Sequence, residues 1–247
     1  MQPSIDAFLE LRPEYTEIGK AAIACGLIPV EHDFRLNRNA NRQSWYEYLF
    51  NKLATSLDAF SRNQLSILTF NYDRSLEQFL FRALKNSYGF SDDKTAEYLK
   101  AIELIHLQGE LGELPCLTGR GRPYRPELSA EIVKIAISDI RVIHENTDSD
   151  PAFARAHTLI SSAETVAFLG FAYHPTNMAR LRCRELFKAG QLYVGTGYGI
   201  KTGERPVIER TLPSAFHWGA EDEEVAEFIR TNKFMALATK PEKIVAS

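Results

Sequence analysis

The chain has 247 residues, 45% of them apolar and 25% charged, the balance of an ordinary globular protein; this excludes a disordered or fibrous one. Its 29 basic and 32 acidic side chains are mixed along the sequence and sum to −3, so no footprint for duplex nucleic acid is present. No apolar run nears the roughly 20 residues that a bilayer demands and the start is polar, which predicts a cytoplasmic protein without a membrane partner.

Apolar residues recur at helical spacing over 5–11, with Ser4 as the expected N-cap, and again over 15–28. A third helix is expected over 43–60, where Trp45, Tyr46, Tyr48, Leu49, Phe50, Leu53 and Leu57 form a broad apolar stripe suited to packing on a sheet. The period then changes: 65–70 (LSILTF) reads as a strand, and a helical pattern begins at Asp73 and runs through Leu84. A helix over 93–101, a strand over 104–107 and a glycine turn at Gly109 and Gly112 repeat the sequence of events. Turn formers make 115–126 a surface excursion, in which the basic run 120–125 (RGRPYR) reads as a solvated loop. The segment 130–143 fits a helix, a strand or one of each.

From Pro151 a helix is expected over 152–162 and a nearly continuous apolar strand over 165–171 (TVAFLGF), of the kind covered on both faces in a parallel sheet. A helix over 175–188, a strand over 191–196 and a last helix over 223–230 complete the pattern. The expected fold is α/β, with a three-layer, Rossmann-like, mostly parallel open sheet in a single domain: a helical segment over 1–62, the sheet core over 63–220, and a closing helix and tail over 221–247. No internal repeat is found. Three scattered cysteines, Cys25, Cys116 and Cys183, read as reduced thiols; they exclude a four-cysteine zinc site, and no metal is expected.

Ligands of open parallel sheets bind beyond the carboxyl ends of the strands, which directs attention to four places. Past the first strand, Asn71 and Asp73 offer donors and acceptors for sugar hydroxyls or a carboxamide, or serve only as an Asx turn and a helix cap. Past the second, His106 and Gln108 share a face and Gly109 permits close backbone approach; the histidine is a general-base candidate or a core residue. The third combines Gly170 with Tyr173, His174 and Asn177, and the fourth is GTGYG at 195–199. Neither is a Rossmann fingerprint or a P-loop.

In order, TFNYD (69–73), IHLQGELGELP (105–115) and FLGFAYHPTN (168–177) resemble the strand ends of the sirtuin-like family, above all the bacterial branch of NAD-cleaving proteins used in phage defence. The resemblance implies NAD as substrate or ligand and cleavage of the bond between nicotinamide and ribose. It implies that Asn71 holds the ribose and orients water, that Asp73 meets the carboxamide, and that His106 supplies the base, since Gln108 stands where the family has its histidine. Thr69, Phe70, Gln108, Gly109, Gly170, Phe171, Asn177 and Thr196 are the residues expected to bind NAD. The family's glycine-rich first strand is not found ahead of Ser4, so the sheet is expected to be incomplete at its N-terminal end. Expected partners are NAD or a related nucleotide, and a second copy or an effector subunit; a non-catalytic nucleotide-binding or scaffold module is the rival reading.

Overall fold

The structure, a computed structural model, describes residues 5–36, 44–54, 56–142 and 150–232. Its first helices are α1 (Ile5–Leu11), α2 (Thr16–Leu27) and the short α3 (Asp33–Leu36). The expected cap Ser4 lies outside the described residues. The single helix expected over 43–60 is instead two, α4 (Trp45–Leu53) and α5 (Leu57–Ser61), because serine caps start a new helix at each place. Ser44 accepts from the Tyr46 amide within a capping box with Glu47, and Ser56 accepts from the Ala59 amide.

Next come β1 (Ser66–Thr69), α6 (Ser75–Tyr88), α7 (Asp92–Leu99) and β2 (Glu103–His106). Helix α6 stops at Gly89, whose φ of 65° is the left-handed conformation glycine adopts without strain. The excursion holds a one-turn helix, α8 (Pro115–Thr118), and the ambiguous segment resolves as α9 (Ala130–Asp139), capped by Ser129. There follow α10 (Pro151–Ser162), β3 (Thr165–Phe168), α11 (Pro175–Leu181), α12 (Cys183–Leu186), β4 (Leu192–Gly195), α13 (Arg205–Glu209), β5 (Phe216–Trp218) and α14 (Val225–Thr231). The helix expected over 175–188 is broken at Arg182, where φ is +53°. Strand β5 has only three residues and carries too little alternation to be read from sequence.

All strand pairings are parallel, as α/β alternation predicts. They form not one sheet but two: β1–β2, and β3–β4–β5. Each face of both sheets is nonetheless covered. Ile67, Leu104, Ala167 and Val194 turn toward one apolar cluster, centred on Phe79, Leu80, Leu84 and Phe60. Their neighbours Leu68, Ile105, Val166, Phe168 and Tyr193 turn toward another, built on Phe153, Ile160 and Met178. The period of two thus sorts side chains onto two shared cores, so the sheets are held by packing where no backbone ladder joins them. A third cluster packs α1, α2 and α9 around Tyr72 and Leu111, next to the carboxyl ends of β1 and β2.

Arg122, in the basic run read as a solvated loop, is 2% exposed. It shares Glu31 with Arg74: an Arg122 guanidinium nitrogen lies 2.7 Å from one carboxylate oxygen, and Arg74 donates to both oxygens at 3.0 and 2.7 Å. Arg74 also donates to the carbonyls of Gly112 and Arg122, at 2.7 and 2.8 Å. The excursion is therefore fastened to the start of α6 by a buried Arg–Glu–Arg cluster. Two positive charges thus share one carboxylate, backbone carbonyls take up most of the remaining donors, and one Arg122 nitrogen is buried without a hydrogen-bond partner.

Candidate functional site

The two residues that the sequence placed past the first and second strands do meet. The Nδ1–H of His106, at the end of β2, donates to the backbone carbonyl of Asn71 past β1, at 2.8 Å. The opposite ring nitrogen, Nε2, is hydrogen-bonded to a carboxylate oxygen of Glu77 in the first turn of α6. Glu110 completes the group: the three side chains can bring one oxygen or nitrogen each within 4.8 Å of one another. The His106 and Glu77 side chains are 8% and 10% exposed. Burial disfavours the charged imidazole, but the hydrogen bond and charge of Glu77, the charge of Glu110 and the Asn71 carbonyl outweigh it and raise His106 from 6.5 to about 9. Burial pushes the Glu110 carboxyl above its ordinary range; the His106 charge opposes this and the Glu77 charge reinforces it.

Neither Glu77 nor Glu110 is among the candidates read from the sequence. Strand β2 ends at His106, and Gly109 turns the chain at a φ of +73°, which returns Glu110 toward the histidine. No spacing rule for a strand or helix predicts that reversal.

Both ring nitrogens of His106, the general-base candidate, are engaged, and the neighbouring carboxylates favour its protonated ring. Gln108 and Gly109 both make close contacts with the backbone at the end of α9 and just beyond it. A Cβ on Gly109 would lie 1.8 Å from the Asp139 carbonyl oxygen, and the Gln108 carbonyl accepts from the Arg141 amide at 2.8 Å. The close approach that Gly109 permits here is to the last residue of α9.

Asp73 accepts from both the amide and the hydroxyl of Ser75, and the Ser75 hydroxyl oxygen lies 2.7 Å from that of Tyr46. It therefore forms an Asx-type turn just ahead of α6, whose N-cap position is held by Arg74 without a side-chain cap. The Asn71 side chain is exposed, and the Thr69 hydroxyl accepts from the Asn71 amide at 3.0 Å. Phe70 lies 5.6 Å from Phe171 between ring centres, so these two cofactor candidates meet as packing partners across the ends of β1 and β3.

Two cavities lie near these strand ends. A cavity of 300 Å³ between α6, α7, β2 and α8 has Glu77, His106 and Glu110 in its wall and Leu80, Leu99 and Leu104 opposite. A broad cleft of 1920 Å³ lies beyond β3 and β4, bordered by Gly170, Phe171, Thr196, Tyr198, Glu204 and Arg230. Thr196 shapes its floor by accepting from the Gly170 amide at 2.9 Å. The residues called from sequence are thus divided: His106 lines the first, Gly170, Phe171 and Thr196 the second, and Asn71, Asp73, Thr69, Phe70, Gln108, Gly109 and Asn177 line neither.

No family model, curated protein or solved structure matches this chain. Among the described residues no helix is long and apolar enough to cross a membrane.

Proposed function

We propose that the chain is a sirtuin-like domain that binds NAD and cleaves its bond between nicotinamide and ribose. The observation that carries this reading is the hydrogen bond between His106 and the Asn71 backbone, which ties together the two strand ends on which the resemblance rests. The contact of Phe70 with Phe171 supports it further, because it draws the ends of β1 and β3 toward one place, where ligands of open α/β folds bind. In this reading His106 is a positioning residue. The carbon–nitrogen bond breaks with its electron pair leaving on nicotinamide, water held by the Asn71 carboxamide adds to the ribose carbon, and the proton released passes to solvent.

Purified full-length chain incubated with NAD is expected to release nicotinamide, and Asn71→Ala to slow that release about a hundredfold or more, the usual cost of removing one oriented donor. The second reading is a nucleotide-binding module without catalysis; the occupied nitrogens of His106 and the structural use of Gln108 and Gly109 favour it. Saturable NAD binding by calorimetry without nicotinamide release would select it. Neither binding nor release overturns both readings.

A further inference from the structure

We propose that Glu77, His106 and Glu110 form a binding site for a divalent first-row transition ion, of which Zn2+ and Mn2+ are the probes. The inference goes beyond the NAD reading and does not depend on it. One imidazole nitrogen and two carboxylates are a donor set for such ions, whereas Mg2+ and Ca2+ favour oxygen alone. The three can present one ligand atom each within 4.8 Å of one another. An ion held about 2.1 Å from each ligand requires them some 3.4 Å apart in a tetrahedral site, so side-chain adjustments on the order of 1 Å close it.

Two further observations point to an ion rather than to an acidic patch. The Asn71 carbonyl fixes the proton of His106 on Nδ1 at 2.8 Å, so Nε2 is the nitrogen turned toward the carboxylates. Metal-bound histidines are commonly oriented in this way by an acceptor on the far nitrogen. The group also borders the 300 Å³ cavity, which supplies an entry path and room for water in the remaining coordination positions. On binding, the ion replaces the proton shared between Nε2 and Glu77. It leaves the buried Glu77 and half-buried Glu110 carboxylates facing a double positive charge instead of a single one.

The site uses no sulfur, so the lack of a four-cysteine set does not bear on it. The ion would engage His106, the positioning residue of the NAD reading, so the test is run without nucleotide and stands whichever way that reading falls. Full-length protein stripped with chelator and then freed of it is titrated with ZnCl2 and MnCl2 by calorimetry, with Co2+ absorption in the visible as a probe of nitrogen coordination. The expected result is one saturable equivalent, insensitive to millimolar Mg2+ and Ca2+, and weakened at least about tenfold in both His106→Ala and Glu110→Gln. Glu113→Gln, a carboxylate on the same cavity but outside the group, is expected to bind as the parent does. Far-UV circular dichroism verifies that each variant is folded; should His106→Ala fail, Glu110→Gln carries the test alone. Absence of saturable binding, or binding unchanged in a folded Glu110→Gln protein, overturns the proposal.

Discussion

Burial alone would strip His106 of its proton, and it is the pair of carboxylates beside it that reverses the outcome. The sign of the resulting pH effect follows. The folded-state value, about 9, lies above the ordinary 6.5, so the stabilisation is fully present below pH 6.5 and is lost as pH rises through 9. Chemical denaturation in the presence of chelator is expected to show stability falling over that window by roughly 3 kcal/mol, with the fall absent in His106→Gln. Gly109 makes the second argument at this scale. Its left-handed φ and the Asp139 carbonyl oxygen 1.8 Å from any Cβ mean that Gly109→Ala strains the turn and pushes the chain after α9 away. A loss of about 2–4 kcal/mol in a urea titration is expected.

At the level of elements, the start of α6 is the most heavily committed place in the molecule. Asp73 and Ser75 open the helix, Arg74 enters the buried cluster with Glu31 and Arg122, and Glu77 holds His106. Replacing Glu31 with alanine leaves two guanidinium groups buried without their counter-charge. The expected cost is about 3–5 kcal/mol by denaturant titration. Because Arg122 belongs to the excursion between β2 and α9, faster proteolytic cleavage within 115–126 is expected in the same variant. A merely solvated loop there would leave both measurements unchanged.

For the molecule as a whole, the question is whether two small sheets behave as one unit. Both main clusters draw residues from both sheets, and neither sheet has a core of its own. A single cooperative transition is therefore expected, with coincident curves for far-UV and near-UV circular dichroism. Phe168→Ala, which empties a position packed against Phe171, Tyr173 and Phe216, is expected to shift the whole curve by about 3–5 kcal/mol without splitting it. Two separated transitions would mean that the sheets fold independently.

Helices and strands, their alternation and the parallel α/β class were legible in the sequence, because periodicity, caps and glycine stops act over a few residues. So were the strand ends at which polar side chains gather, Asn71 and His106 among them. What tertiary structure alone decided lies between segments far apart in the chain. His106 meets Glu77 from 29 residues away, and Arg74 meets Glu31 from 43. The division of the strands into two sheets, the burial of Arg122, the return of Glu110 toward His106 and the use of Gly109 against Asp139 are of the same kind. Each depends on which backbone comes to lie beside which, and no local preference of the residues concerned encodes that.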